Sequence, residues 1–136
     1  MVRAVKPQSL SIVMAAFNEV DALPACVARN LDFLRTRVNG GELIIVDDGS
    51  TDGTGALIDA LAAAEPEVTA LHLDRNSGMG AALRRGFAQA CFDWVTIMPA
   101  DGQIDPFELE TFFEVADHAD LVTSLYSNRR YSLGRK

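Results

Sequence analysis

The stretch that decides the fold is Glu42–Thr54, which reads ELIIVDDGSTDGT. Its apolar run Leu43–Val46 leads into two adjacent carboxylates, Asp47 and Asp48, and then into a turn of glycine, serine and threonine. A short apolar run bounded by turn residues predicts a strand buried on both faces, as in parallel sheets. Acidic groups at the carboxyl end of such a strand lie where open α/β sheets bind ligands. The stretch therefore predicts a nucleotide or sugar site.

Apolar runs and helical patterns alternate along the rest of the chain. Strands are predicted at Ser9–Ala15, Leu43–Asp47, Val68–Leu73, Trp94–Met98 and Leu121–Leu125, and helices at Ala22–Arg37, Gly55–Ala64, Gly80–Phe92 and Pro106–Asp117. Strand–helix–strand order with short connections implies right-handed crossovers. The fold class predicted is α/β, with a mostly parallel Rossmann-like sheet flanked by helices on both faces.

Composition limits the class of protein. The 136 residues are predicted to form one domain, 1–136, and 49% hydrophobic with 23% charged residues argues against disorder. A net charge of −7 argues against nucleic-acid binding. Cys26 and Cys91 lack metal spacing and are expected to pack as small apolar residues in a reducing compartment. With no signal-peptide pattern or apolar run of membrane-spanning length, a soluble, cytoplasmic protein is expected.

Polar residues follow three of the predicted strands. Asn18 and Glu19, Asp47 and Asp48, and the segment Pro99–Asp101 all fall at carboxyl ends, so they should converge on one rim. An alternative is that Ser50–Asp52 merely cap the next helix. Capping does not explain two carboxylates before the glycine, and we favour a ligand site. His72 and His118 lack a partner at catalytic spacing and are expected to be structural.

Four local patterns resemble family 2 glycosyltransferases with the GT-A fold. They are SIVMAAFNE (11–19) against a strand ending in P-x-Y/F-N-E, DDGSTD (47–52) against D-D-G-S-x-D, NSGMGAA (76–82) against N-x-G-K-G-x-A, and PADGQ (99–103) against D-x-D-x-Q. Any one match is weak, but four in order and in register, from about Ser9 to the end of the chain, are specific.

The resemblance implies a set of site residues. Binding of a nucleotide sugar is implied for Ala15, Phe17, Glu19, Asp47, Asp48, Gly78, Met79, Ala100 and Asp101. Asp101 is also implied as the catalytic residue and, with Gln103, as a ligand of Mg²⁺ or Mn²⁺. A diphosphate leaving group gains negative charge, which a hard cation held by oxygen ligands neutralises. Adjacent strand residues point to opposite faces, so Asp47 and Asp48 should not chelate one ion together; one is expected to accept hydrogen bonds from the base.

Simpler alternatives stay open for three of these residues. Phe17 is equally well read as a core aromatic, because aromatic side chains are usually buried. Glu19 is equally well read as a first-turn acid that the helix dipole favours. Asp101 has the alternative of an Asp-Gly turn that closes a strand.

The chain departs from the family pattern at three positions. Ala15 in place of proline is the mildest change. Pro99 replaces the first acid of the metal motif, which should weaken metal binding or shift ligation to the diphosphate. Met79 replaces the usual lysine, which leaves Gly78–Gly80 as a loop for close backbone approach. That loop lacks the spacing of a Walker A loop and the third glycine of a dinucleotide fingerprint.

The basic tail extends the resemblance to polyprenyl-phosphate glycosyltransferases. Two interpretations stay open for Arg129, Arg130 and Arg135: contact with phosphates, because arginine forks suit phosphate oxygens, and a solvated chain terminus. More chain follows in those relatives, so the protein is expected to be a truncated or minimal form. The partners implied are a GDP- or UDP-sugar donor and a lipid-phosphate acceptor at the cytoplasmic face of a membrane, without nucleic acid, and an exposed sheet face leaves room for a homo-oligomer.

Three functions therefore compete. The first is a transferase that moves a sugar to a polyprenyl or dolichyl phosphate by metal-assisted inverting displacement. The second is a nucleotide-sugar-binding module without catalysis, which Pro99 and Met79 suggest. The third is a nucleotidyltransferase, which is disfavoured because the segment Ala15–Asp21 lacks a loop rich in glycine and basic residues.

Overall fold

The structure, a computed structural model, describes residues 8–124. Its strands are β1 (Leu10–Ala16), β2 (Gly41–Asp47), β3 (Val68–His72) and β4 (Trp94–Ile97). Within the described residues they form one sheet in the order β3-β2-β1-β4, and every neighbouring pair is parallel. This confirms the parallel α/β prediction, and each predicted strand up to Met98 lies within about two residues of an observed one.

Helices cover both faces of the sheet. They are α1 (Leu23–Arg37), α2 (Thr54–Ala64), α3 (Met79–Gln89) and α4 (Glu110–Ala116), the last preceded by a 3₁₀ turn at Pro106–Leu109. Ala82 of α3 packs with Val13, Ile44 and Val46 on one face. On the other face, side chains of α1, α2 and α4 pack with alternate strand residues such as Ile12 and Ile45. Both faces of β2 are buried, as its continuous apolar run predicts.

The strands end together at one edge of the sheet. In the β1–β2 register Leu10 pairs with Gly41 and Ala16 pairs with Asp47. The N–H of Asp48 donates to the carbonyl of Ala16 at 2.9 Å, so the ladder continues one residue beyond both strands. The loops that follow β1 and β2 therefore leave the sheet side by side.

Three local predictions are wrong. Residues 121–124 of the predicted strand Leu121–Leu125 form no strand, and Leu125 lies outside the described residues. The helix predicted at Gly80–Phe92 ends at Gln89, because the next residues bind strand side chains: Cys91 N–H donates to Glu42 Oε1 at 2.9 Å and Phe92 N–H to Ser11 Oγ at 3.2 Å. Cys91 is consequently exposed, whereas Cys26 is buried as predicted.

No helix within residues 8–124 is long and apolar enough to cross a membrane.

Gly86 of α3 lies against the sheet without room for a side chain. A Cβ there would lie 2.3 Å from Val13 Cγ1 and 3.3 Å from Val46 Cγ2. We expect Gly86→Ala to lower the free energy of unfolding by about 1–3 kcal/mol, because overpacking a core costs that much and exceeds the helix-propensity gain of about 1 kcal/mol. Urea unfolding followed by circular dichroism measures the change.

A matched control lies in the same helix. A Cβ at Gly80 would meet nothing within 4 Å, so Gly80→Ala should be neutral or stabilising by up to about 1 kcal/mol. Equal unfolding midpoints for the two variants would contradict the close packing of α3.

Candidate functional site

Three loops at the carboxyl edge of the sheet are joined by hydrogen bonds into one unit. We call them the loop cluster: residues 17–22 after β1, 48–53 after β2 and 73–78 after β3. The sequence predicted that the first two would converge with the segment after β4. The third loop joins them through Asp48.

The loops after β1 and β2 bind each other through Asn18. Its N–H donates to Ser50 Oγ at 3.0 Å, and its Oδ1 accepts from Thr51 N–H at 2.9 Å. Glu19 N–H donates to Thr54 Oγ1 at 3.0 Å. Asn18 has a φ of 53°, a left-handed conformation that asparagine tolerates better than most residues. The backbone of the first loop is therefore fixed by side chains of the second.

The capping alternative for this turn holds only in part. Asp52 Oδ1 accepts from the N–H of Thr54, the first residue of α2, at 3.0 Å, and hydrogen bonds from Thr54 lower the pKa of Asp52. The residue before Thr54 is Gly53, which provides no side-chain cap. Ser50 and Thr51 bind the loop after β1 instead. The turn thus serves mainly to join loops.

Asp48 connects the second loop to the third. It is 5% exposed, and its carboxylate accepts from Ser77 N–H at 2.7 Å and from Gly78 N–H at 3.0 Å. Gly49 allows this approach: it has a φ of 72°, and a Cβ there would lie 2.4 Å from Asn76 N. The turn after β2 therefore fits directly against the start of α3.

Asp47 binds different partners from Asp48. Asp47 is 6% exposed; its Oδ1 accepts from Ser50 N–H at 2.9 Å, and its Oδ2 lies 3.2 Å from His72 Nδ1. Burial works to raise the pKa of Asp47, but hydrogen bonds from Ser50 and His72 outweigh it and lower that pKa. The expectation that His72 lacks a partner is wrong, since its Nε2 also lies 2.7 Å from Asp59 Oδ1.

The remaining residues implied near the loop cluster differ in exposure. Phe17 is 44% exposed, so the alternative of a core aromatic is wrong. Met79 is 69% exposed at the start of α3. Ala15 and Glu19 are half-buried. Exposed apolar side chains beside fixed backbone leave a surface on which a planar ring can stack.

Asp101 lies in the segment after β4, beside α1 rather than within the loop cluster. Its Oδ1 accepts from Gln103 N–H at 3.0 Å, which is the turn that the simpler alternative predicted, and both side chains are exposed. The Cys26 Sγ donates to the carbonyl of Pro99 at 3.4 Å. Burial raises the pKa of the Cys26 thiol, and the negative charges of Asp101 and Glu19 raise it further. Leu23 N–H donates to the carbonyl of Glu19 at 3.0 Å, so Glu19 lies at the start of α1.

A cavity of about 430 Å³ opens between Asp101 and α1. It is lined by Ala22, Ala25, Cys26, Arg29, Asn30, Asp101, Gly102, Ile104, Asp105 and Pro106. Asp48 is not among the residues that line this cavity. The Oδ1 of Asn30 is buried and has no hydrogen-bond partner among the described residues. A bound water is the ordinary partner for such an atom.

The described residues fit a metal ion that is shared with substrate phosphates. They contain no group of three or more His, Cys, Asp or Glu side chains placed to hold an ion. Mg²⁺, however, is commonly bound by one or two carboxylates together with phosphate oxygens and water. Ala100 is buried, and Asp101 is the one acid of the segment 99–103. Arg129, Arg130 and Arg135 lie outside the described residues.

Known proteins identify this fold as that of GT-A glycosyltransferases. A mannosyltransferase of Pyrobaculum calidifontis, PcManGT, solved with GDP-Man and Mn²⁺, superposes with a TM-score of 0.68 at 21% identity, over 85% of this chain and 34% of that one. TarS 1–349 of S. aureus, solved with UDP-GlcNAc, gives 0.65 at 20% identity, over 81% and 32%. These likenesses show the fold.

Sequence comparison shows the family. The model of glycosyl transferase family 2 matches residues 11–136, so the chain belongs to that family. The undecaprenyl-phosphate 4-deoxy-4-formamido-L-arabinose transferase of Pectobacterium atrosepticum is 37% identical over 132 residues, 95% of this chain and 40% of the relative. The transferase of the same name from Yersinia enterocolitica is 36% identical over 134 residues, 96% and 41%. The chain thus spans about two fifths of the length of these relatives.

The role of Asp48 in joining two loops can be tested by measuring the free energy of unfolding of its variants. We expect Asp48→Ala to lower the free energy of unfolding by about 1–3 kcal/mol, because two backbone N–H groups lose their acceptor. Asp48→Asn keeps an oxygen acceptor and should lose less. Urea denaturation measures both, and hydrogen exchange at Ser77 and Gly78 should accelerate in the alanine variant. Wild-type stability in Asp48→Ala would contradict the role.

Proposed function

We propose that the chain is the donor-binding part of a transferase that moves a sugar from a nucleoside diphosphate to a polyprenyl phosphate. The observation that carries the proposal is the loop cluster itself. Asn18 and Asp48 fix three loops at the edge where open α/β sheets bind ligands. Such a fixed surface binds a ligand without first having to be ordered.

The comparisons support the choice of substrates. Two proteins of this fold are complexes with GDP-Man and UDP-GlcNAc, and both donors join a sugar to a nucleoside diphosphate. The relatives at 36–37% identity are named for undecaprenyl phosphate. In this proposal, Asp48 and Phe17 contact the base, and the glycine-rich start of α3 lies close to the rest of the donor.

The negative charge at the carboxyl edge of the sheet requires a cation before a diphosphate can bind there. Glu19 precedes α1 and Asp101 is exposed after β4, so two carboxylates lie at the edge where the diphosphate is proposed to bind. Asp101 would hold Mg²⁺ or Mn²⁺ with help from Gln103 and the diphosphate oxygens. When bound, the ion supplies neutralisation of the charge that develops on the leaving group.

The proposed reaction needs little proton transfer. An acceptor phosphate oxygen forms a bond to the anomeric carbon while the bond from that carbon to the diphosphate oxygen breaks, and the electron pair stays on the diphosphate. The acceptor is already an anion, so no general base is required to activate it. Attack from the side opposite the leaving group inverts the anomeric configuration.

A second candidate is a module that binds a nucleotide sugar without transferring it. Pro99 favours this candidate, because a proline replaces one of the two acids of the metal segment. Binding and turnover must therefore be measured separately.

Substitution of Asp101 tests the transferase. Titration calorimetry with UDP-GlcNAc and GDP-Man, with and without Mn²⁺, should show Mn²⁺-dependent binding of at least one donor to the wild-type chain. We expect Asp101→Asn to reduce turnover with undecaprenyl phosphate by about 100-fold or more, a loss typical of removing one group that stabilises transition-state charge. The amide oxygen can still accept from Gln103 N–H, so the turn is kept.

The control removes an equal charge elsewhere. Glu114 is exposed on α4, and Glu114→Gln should leave binding and turnover unchanged. Wild-type turnover in Asp101→Asn would overturn the assigned role. Donor binding without turnover by the wild-type chain would favour the second candidate.

Pro99→Asp offers a gain-of-function test. A second carboxylate at the segment should tighten Mn²⁺ binding in the presence of donor by about tenfold, equivalent to about 1.4 kcal/mol. Pro99→Asn, which adds no charge, is the control. Equal Mn²⁺ affinities for the wild type and Pro99→Asp would show that this segment does not hold the ion.

A further inference from the structure

His72, the last residue of β3, has a carboxylate at each ring nitrogen. Nδ1 lies 3.2 Å from Asp47 Oδ2, and Nε2 lies 2.7 Å from Asp59 Oδ1. The two acids come from the two elements packed against β3: Asp47 from β2 and Asp59 from α2. These are the charged groups that act on the ring. One histidine thus joins three elements.

This geometry suits the imidazolium and not the neutral ring. A neutral imidazole has one N–H donor and one lone pair, whereas the imidazolium has two donors. With a carboxylate at both nitrogens, loss of the proton would place a lone pair against a carboxylate oxygen. The contacts with Asp59 and with Asp47 accordingly raise the pKa of His72, although burial opposes them.

A series of hydrogen bonds connects His72 to the loop cluster through Asp47 and Ser50. The other oxygen of Asp47 accepts from Ser50 N–H at 2.9 Å, and Ser50 Oγ in turn accepts from Asn18 N–H at 3.0 Å. The start of α2 closes over the pair: a Cβ at Gly55 would lie 2.7 Å from Asp47 Oδ2 and 3.7 Å from His72 Cε1. Nothing larger than glycine fits there without moving the carboxylate.

We infer that His72 is a positioning residue whose imidazolium, held by Asp59, fixes Asp47 and the turn to Ser50, so that sugar-nucleotide affinity depends on the proton of His72. The inference rests on the proposed function and adds a control of the same site. His72 itself does not touch the donor; it acts through Asp47 and the Asn18–Ser50 contact. Donor affinity should therefore follow the charge of a side chain on the far side of the turn.

The direction of the pH dependence follows from the charge. The His72 pKa in the folded protein lies above its ordinary value of about 6.5. The contribution of the imidazolium is complete below that value and is lost as the pH rises through the folded pKa. The pKa of Asp47 is lowered by its hydrogen bonds from Ser50 and His72, so this carboxylate keeps its charge while His72 titrates. Affinity should fall as the pH rises through that folded pKa, and the range measured is about pH 6 to pH 8.5.

The experiment is titration calorimetry with an intact sugar nucleotide, UDP-GlcNAc or GDP-Man, and Mn²⁺ across that pH range. An intact sugar nucleotide is used because its diphosphate lacks the terminal phosphate group that titrates near pH 6 in a monoester. We expect the wild type to lose affinity by about tenfold as the charge is removed, equivalent to about 1.4 kcal/mol. His72→Gln should bind weakly at every pH, with a flat profile.

Two further variants separate positioning from mere stability. Asp59 is exposed on α2, and Asp59→Asn should move the midpoint of the profile to lower pH by removing one of the two charges that hold the imidazolium. His118→Gln removes the other histidine, which is exposed after α4, and should leave the profile unchanged. A purely structural His72 would change the unfolding midpoint but not the pH at which binding is lost.

The outcomes are distinguishable. A flat wild-type profile, or an unchanged profile in both His72→Gln and Asp59→Asn, overturns the inference and leaves donor binding intact. If the wild type binds neither sugar nucleotide with Mn²⁺ at pH 6, the proposed function fails and the inference fails with it. A midpoint that shifts in Asp59→Asn but not in His118→Gln supports the positioning role.

Discussion

The shared end of β1 and β2 is the constraint on which the site depends. The register pairs Ala16 with Asp47, and the N–H of Asp48 extends that ladder by one bond. Two loops that start level can exchange hydrogen bonds, as Asn18 does with Ser50 and Thr51. A slip of one residue would move every side chain of a strand to the opposite face. Gly86 of α3 fits against Val13 and Val46 without room for a Cβ, so such a slip would disturb the packing of α3 on the sheet.

Two adjacent buried carboxylates are tolerated because each has its own donors. A buried ion costs several kcal/mol unless it is paired or hydrogen-bonded. Asp48 accepts from two backbone N–H groups of the loop after β3, whereas Asp47 accepts from one N–H of its own turn and contacts one imidazole. The conformations of these loops therefore provide the hydrogen-bond donors that the two buried carboxylates require. Asp47 holds its own turn through Ser50 N–H, and Asp48 binds that turn to the loop after β3.

Local sequence patterns were sufficient for the fold and for part of the site. The run Leu43–Asp47 identified a strand buried on both faces, and the turn residues after it marked the edge where the loops converge. The partners of His72 could not be predicted, since its contact with Asp47 depends on the β2–β3 register and its contact with Asp59 depends on how α2 docks. Neither the β2–β3 register nor the docking of α2 can be derived from the spacing of residues along the chain.

The wrong predictions also concern features that depend on the tertiary structure. The segment 121–124 is apolar enough for a strand, but strand formation requires a neighbour to pair with, which composition does not reveal. Cys91 continues the pattern of α3, yet its N–H binds the side chain of Glu42, a residue 49 positions earlier. Phe17 is exposed because it lies just past the end of β1, outside the strand whose own residues are nearly all buried.

The altered metal segment changes how a donor would bind under the proposed function. A diphosphate near Glu19 and Asp101 is repelled unless a cation compensates, and Asp101 alone holds a free cation weakly. Pro99 removes one carboxylate, which lowers the affinity for a free ion and also lowers the repulsion that the diphosphate meets. Both effects favour an ion that binds together with the diphosphate over one that is already bound to the protein. Metal and donor would then bind as strongly coupled ligands, each raising the affinity for the other by the same factor.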